Sequence, residues 1–158
     1  MSNDKMTTCL WFDTHGEEAV DFYVSVFRNA RKDAVSHYGD AGPMPKGTVM
    51  TVMFEINGQS FMALNGGPHF KFTPAISQMV MCDSQEEVDL LWSKLTAGGQ
   101  EVQCGWLTDK FGLSWQIVPR EFMELMKKGD ARRADNMMKA MMPMKKLDMK
   151  VLKAAYEA

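Results

Sequence analysis

Glu17-Glu18-Ala19-Val20-Asp21-Phe22-Tyr23 and Glu86-Glu87-Val88-Asp89-Leu90-Leu91-Trp92 are two versions of one amphipathic helix. In the first, Ala19, Phe22, Tyr23 and Val26 fall at i, i+3, i+4 and i+7, an apolar stripe at helical period. In the second, Val88, Leu91, Trp92 and Leu95 repeat the stripe, each displaced by the same 69 positions. Both helices follow a short apolar strand segment, 7–13 and 76–82, and both precede segments of strand character. The chain therefore reads as a duplicated strand-helix-strands unit. Two such halves sharing one sheet are expected to enclose a space, and the residues lining that space decide what the protein can do.

Local signals set the boundaries. Thr14-His15-Gly16-Glu17 and Ser84-Gln85-Glu86-Glu87 both have the capping-box pattern, a hydroxyl followed three residues later by Glu. Arg28-Asn29 closes the first helix, and Ala97-Gly98-Gly99 closes the second. Residues 34–38 read as a strand, 39–47 with Pro43 and Pro45 as a mobile loop, and 48–56 as a strand. Asn57-Gly58 is the two-residue signal of a type I′ hairpin, returning the chain through 59–65. Gly66-Gly67-Pro68 opens a connection that runs to Pro74. In the second copy 101–107 is expected to be a strand, Asp109-Lys110-Phe111-Gly112 a turn, and 113–118 the last strand, stopped by Pro119. Helical patterns follow at 121–127, 131–142 and 147–156. This tail belongs to neither copy and holds eight of the 16 methionines, whose flexible side chains fill irregular gaps. It is expected to pack against the domain or a second subunit, with a cover over a ligand pocket as the alternative.

Composition narrows the function classes. A chain of 158 residues can bury a sizeable core without staples. Cys9, Cys82 and Cys104 at unrelated spacings suit reduced thiols in the cytoplasm rather than a disulfide framework or a thiolate metal site. No apolar run approaches the roughly 20 residues of a spanning helix, and no leader pattern opens the chain. A net charge of -2 with scattered Lys and Arg gives no footprint for a phosphate backbone, so neither nucleic acid nor a membrane is expected as a partner.

Strand alternation divides each strand into two faces. Leu113, Trp115 and Ile117 form an apolar set suited to a helix, while Ser114, Gln116 and Val118 form a mixed set. Cys9 and Trp11 fall on one face of the first strand, and Thr8, Leu10 and Phe12 on the other. Ser77, Met79 and Met81 continue the mixed face. Hydroxyls and an amide among Leu, Phe and Met form the lining that a small organic ligand usually meets. The alternative is that these groups satisfy one another or water.

Leu10-Trp11-Phe12-Asp13, Phe22-Tyr23, Tyr38-Gly39, Ala63-Leu64-Asn65-Gly66-Gly67-Pro68-His69-Phe70-Lys71-Phe72, Cys104-Gly105-Trp106 through Asp109, Phe111-Gly112, and Ser114-Trp115-Gln116-Ile117-Val118-Pro119 span most of the chain. Together they resemble the PhnB-like branch of the glyoxalase/bleomycin-resistance, or vicinal-oxygen-chelate, superfamily. The resemblance implies an α+β fold of two paired βαβββ modules around a cup, and a homodimer. Proteins of this branch often carry the label of a 3-demethylubiquinone-9 3-methyltransferase domain. Superfamily metalloenzymes hold a divalent ion with His and Glu from the first and last strands of the modules. Counted from matching residues, those positions fall here on Thr8, Ser77, Met62 and Gln116, and none is a His or carboxylate. Neutral oxygen donors alone do not offset the dehydration of a divalent cation. His15, His37 and His69 lie in a helix cap, a strand and the connection, so no pair has metal-site spacing. His69, beside Asn65 and Lys71, could orient or protonate a substrate or simply anchor the connection by hydrogen bonds.

These readings combine into one expectation. A single domain, 1–158, consists of module one at 7–65, a connection at 66–75, module two at 76–118 and a helical extension at 119–158. It is expected to bind, or convert, a small apolar or amphipathic molecule of unassigned identity without a metal or other cofactor. Thr8, Phe12, Met62, Asn65, His69, Ser77 and Gln116 are its expected ligand-binding residues, and no catalytic residue is assigned. Three other readings compete. The first is a metalloenzyme (lyase, dioxygenase or resistance type) with ligands drawn from elsewhere, such as His69 with Glu55 or Asp109. The second is a dimeric interaction protein using the methionine-rich tail. The third is the methyltransferase of the family label, which lacks the glycine-rich strand-to-helix loop that such a cofactor site needs.

Overall fold

The computed structural model describes residues 5–158. The chain forms two compact units, one ending at Phe72 and the other spanning Thr73–Ala158. Among the described residues they hold two four-stranded sheets and five helices, an α+β fold.

In unit one, β1 (Thr8–Phe12) leads into helix α1 (Gly16–Val26), followed by β2 (Ala30–His37), β3 (Val49–Ile56) and β4 (Gln59–Asn65). The strand order is β1-β4-β3-β2, with β1 parallel to β4 and the other pairs antiparallel. The β3–β4 hairpin turns at Asn57 and Gly58 with φ of 50° and 82°, the pair of left-handed residues that a type I′ turn requires. Ala19, Val20, Tyr23 and Val26 of α1 are buried. Tyr23 reaches the sheet, its ring 6.2 Å from that of Phe54, which in turn stacks on Phe61 at 5.1 Å.

Unit two repeats the topology. Strand β5 (Ser77–Cys82) and helix α2 (Gln85–Thr96) precede β6 (Gln100–Glu101), β7 (Trp106–Thr108) and β8 (Ser114–Pro119), in the order β5-β8-β7-β6 with β5 parallel to β8. Val88, Leu91, Trp92 and Leu95 are all buried, as their spacing predicts. Burial of such side chains contributes roughly 1.5–3 kcal/mol each relative to exposure. Helices α3 (Arg120–Lys127), α4 (Ala131–Met141) and α5 (Met149–Glu157) form the extension. Val118, Phe122, Leu125, Met137, Leu147, Met149, Leu152 and Tyr156 make its core, with Met81 packed against it. The extension is thus built into unit two. Gln85 of α2 fixes it twice, donating from Nε2 to the Leu147 carbonyl at 2.9 Å and accepting the Met149 amide at Oε1 at 2.9 Å.

Four expectations need correction. The strand expected at 34–38 begins at Ala30 and ends at His37. The last strand includes Pro119, after which α3 begins directly. The strand expected at 101–107 is broken, because Cys104 and Gly105 take left-handed φ values of 60° and 84° and donate their amides to the carbonyls of Met144 and Lys145, each at 2.8 Å. Backbone pairing with the extension replaces strand pairing there. Finally, the first capping box does not form: His15 is the N-cap of α1 and makes no side-chain cap bond. The second does form, with Ser84 Oγ accepting the Glu87 amide at 3.1 Å and Glu87 Oε2 accepting the Asp83 amide at 2.8 Å.

Among the described residues no helix is long and apolar enough to cross a membrane.

Candidate functional site

Register decides which side chains share a face. In unit one Thr8, Leu10 and Phe12 pair with Phe61, Ala63 and Asn65. Phe61 pairs in turn with Phe54, which stacks toward Tyr23 of α1. Thr8 and Phe12 therefore belong to the helix-covered face, and Leu10, Phe12, Phe61 and Ala63 on it are buried. Met62 pairs with Cys9 and Met53 on the opposite face, along with Trp11 and Leu64. Thr8 and Met62, expected to line one space, thus lie on opposite sides of one sheet.

The cause is a single residue. Three residues separate β1 from α1, whereas two separate β5 from α2. The helices repeat at 69 positions, but the strands repeat at 70, as the pairs Cys9 with Met62 and Met79 with Gln116 require. A one-residue slip transfers every side chain of a strand to the other face. Thr7, not Thr8, corresponds to Ser77.

In unit two the expected division holds. Trp115 and Ile117 pair with Gln78 and Val80, and both are buried on the face suited to α2. Ser77, Met79 and Met81 pair with Ser114, Gln116 and Val118 on the other face. Gln116 Nε2 lies 2.9 Å from Ser77 Oγ, so the structure brings these two expected residues together. Trp106 pairs with Gln116 and joins the same face. Trp106 is not among the expected ligand-binding residues, and its pairing with Gln116 across the 109–112 turn is what adds it to this face. The extension occupies the Val118 and Met81 end of this face, while Met79 stays 46% exposed at the other.

Asn65 is a junction. Its Oδ1 accepts the Gly16 amide at 2.7 Å and its Nδ2 donates to the Val49 carbonyl at 3.1 Å. Its own carbonyl accepts the Tyr38 hydroxyl at 2.5 Å. This side chain supplies the cap that Thr14 does not. It also forms part of the wall of a cleft of about 540 Å³ that includes Thr14, Glu17 and Thr48.

His69 lies exposed in the connection. What anchors that segment is aromatic: Trp11 Nε1 donates to the Gly67 carbonyl at 2.9 Å, Phe70 meets the Trp11 ring at 4.9 Å, and Phe72 meets Phe12 at 5.2 Å. Because Trp11 and Phe12 point to opposite faces, the connection grips the edge strand from both sides. A Cβ on Gly66 would stand only 2.3 Å from the Trp11 ring, so only glycine fits.

The carboxylates proposed as alternative metal ligands are engaged elsewhere. Glu55 pairs with Arg31 at 2.9 Å. Buried Asp109 accepts the amides of Phe111 and Leu113 at Oδ1, at 2.8 and 3.1 Å, and the Trp115 indole N–H at Oδ2, at 2.9 Å. Among the described residues no three of His, Cys, Asp and Glu cluster as a metal site would need. The positions matching the superfamily's metal ligands carry a thioether, an amide and hydroxyls, and the slip in β1 turns Thr8 away from Met62. This donor set does not fit a divalent ion.

A family profile described as 3-demethylubiquinone-9 3-methyltransferase matches residues 4–118. The PhnB protein of Bacillus cereus, which carries the same methyltransferase description provisionally, is 38% identical. The match covers 73% of this chain and 99% of that one, with a TM-score of 0.67. Protein PA1353 of Pseudomonas aeruginosa is 22% identical over 74% of this chain and 98% of its own, with a TM-score of 0.62. The fosfomycin resistance protein FosX of Listeria monocytogenes, solved with Mn(II) and sulfate, is 17% identical over 81% of this chain and 98% of its own, with a TM-score of 0.53. These last two show a shared fold alone. No curated protein sequence matches the chain. The motifs, the repeated topology and these likenesses agree, and the chain belongs to the PhnB-like family described as 3-demethylubiquinone-9 3-methyltransferase, of the glyoxalase/vicinal-oxygen-chelate superfamily.

Proposed function

We propose that the protein binds a small, largely apolar organic molecule, without a divalent ion, on the unit-two face formed by Ser77, Met79, Trp106 and Gln116. The observation that carries this reading is the large apolar side chain of Met79 left 46% exposed beside Gln116, whose 2.9 Å bond from Nε2 to Ser77 Oγ uses only part of the polar capacity of the pair. A hydroxyl can donate or accept, so whichever way the amide is turned, one polar end of Gln116 remains free for a ligand. Met79 and Trp106 supply apolar and aromatic surface beside it. A few orienting polar groups within an apolar lining are the usual make-up of a ligand site. None of the four side chains titrates near neutral pH, so the face orients and desolvates a ligand and does not move protons. Thr8 and Phe12, which face α1, and Met62, on the opposite face of the unit-one sheet, are left out of this site.

The methyltransferase activity in the family description is not carried over. Neither residues 39–47 after β2 nor residues 66–76 after β4 form a helix, so neither of these glycine-containing segments opens the strand-loop-helix that would cradle such a cofactor. FosX was solved with Mn(II), but at 17% identity that ligand is a property of FosX. The reading includes a homodimer, on the strength of the family resemblance, and sedimentation velocity at two concentrations tests that part.

Native mass spectrometry of gently purified protein tests the binding. The wild-type chain should retain an organic mass and no metal, and Gln116→Leu should lose the organic mass while staying folded. A wild-type chain free of small molecules under every mild purification, or one carrying stoichiometric transition metal, would contradict the reading.

A further inference from the structure

We propose that unit one carries a separate binding site, the cleft at the start of α1, and that it accepts a small molecule bearing an ammonium group on an apolar body. The cleft has a volume of about 540 Å³, within the roughly 300–1,000 Å³ range of small-molecule sites. Its walls are fixed by hydrogen bonds. Tyr38 and the far end of the 39–47 loop are paired, the Gly47 amide donating to the Tyr38 carbonyl and the Tyr38 amide to the Thr48 carbonyl, both at 2.8 Å. The Tyr38 hydroxyl is bound to the Asn65 carbonyl, and Asn65 Nδ2 to the Val49 carbonyl. Gly42 lies so close over the Tyr38 ring that a Cβ there would stand 2.4 Å from it, so the loop can pass over the ring at this point only with glycine.

The lining sets the ligand class. Among the described residues Glu17 is its single charged side chain, with the Thr14 and Thr48 hydroxyls beside it and Met44, Pro45 and Val49 as apolar surface. Among the described residues the nearest cation to Glu17 is Lys32 at 3.5 Å, and Lys32 is held more closely by Asp21 at 2.9 Å. Glu17 therefore retains capacity to accept from a ligand. The positive end of α1 would otherwise favour an anion, but it carries only about half a charge, and Glu17 and Glu18 in the first turn outweigh it. A cationic N–H donor meeting a carboxylate is among the stronger hydrogen bonds available at such a site. None of this depends on the unit-two face.

The test uses the full-length chain in an ¹⁵N-resolved NMR titration with phenethylammonium, 2-phenylethanol and phenylacetate, which share an apolar body and differ in charge. Phenethylammonium should shift the amides of Glu17, Thr48 and Val49 saturably and bind about tenfold more tightly than 2-phenylethanol, with phenylacetate weakest. Glu17→Gln should bring the ammonium and the alcohol to equal affinity, and Thr14→Trp, which fills the cleft, should abolish both. Equal binding of all three by the wild-type chain, preference for phenylacetate, absence of any saturable shift, or shifts centred on Ser77 and Gln116 would each overturn the proposal.

Discussion

Asn65 Oδ1 accepts the amide of Gly16 at 2.7 Å, so the last residue of β4 caps helix α1 from 49 positions away in sequence. Asn65→Ala removes this bond and the one to Val49 together, leaving a buried amide unpaired. Unfolding free energy should fall by about 2 kcal/mol. Asn65→Asp keeps an acceptor for Gly16 but sets a buried carboxylate oxygen against the Val49 carbonyl, and should also destabilise. Urea denaturation followed by circular dichroism measures both, and equal stability of Asn65→Ala and wild type would refute the capping role.

Asp109 organises the β7–β8 turn through three N–H donors, with Gly112 at φ 87° completing it. Asp109→Asn keeps Oδ1 in place but turns an NH₂ toward the Trp115 indole, setting donor against donor. Both Asp109→Asn and Asp109→Ala should therefore destabilise by about 2–4 kcal/mol. Near-native stability of the Asn variant, read from its thermal midpoint, would show that the indole bond contributes little.

The three thiols should separate by reactivity. Burial, aided by the Glu87 and Asp83 carboxylates, pushes the Cys82 thiol up to about 12. Cys82 should resist a disulfide reagent until the chain unfolds. Cys9 is exposed on the edge strand and should react first, although partial burial raises its thiol as well. Peptide mapping after brief labelling checks the order, and early labelling of Cys82 would contradict the packing of β5 under α2.

Acid should loosen the extension before it unfolds the sheets. Hydrogen bonds from Lys146 and Gln85 hold the Asp89 carboxyl below its usual range. A depressed folded pKa contributes stability that is complete above the unfolded value of about 3.9 and fades as pH falls through the lower folded value. The carboxylate is half exposed, so solvent screening keeps the effect small. Hydrogen exchange of α5 amides should accelerate below about pH 4, and Asp89→Asn should show part of that acceleration already at neutral pH. Exchange in α5 that is indifferent to both would mean the Lys146–Asp89 tie does not hold the tail.

Much of this fold is legible in the chain because its determinants are local. The stripe Val88, Leu91, Trp92 and Leu95 needs only helical period to predict its burial, and Asn57-Gly58 needs only its own φ preference to predict a turn. What escaped the sequence reading depends on partners distant in sequence. Thr14 has the composition of a cap, but the extra residue between β1 and α1 moves it one place too early, and Asn65 takes over. The same extra residue reverses the parity of β1, which turns Thr8 and Phe12 to the α1 side of their sheet, whereas Ser77 and Gln116 share the face of theirs that points away from α2. The break at Cys104 and Gly105 was hidden because it is the extension, some 40 residues on, that captures their amides.

Titration of ¹⁵N-labelled protein with Mn(II) asks whether the neutral Ser77–Gln116 face takes a divalent ion. If it takes none, as proposed, the Gln116 side-chain NH₂ and the Ser77 amide will keep their line widths at one equivalent, with only diffuse broadening near exposed carboxylates. Selective loss of those two signals at stoichiometric Mn(II), reversed by Zn(II), would contradict it.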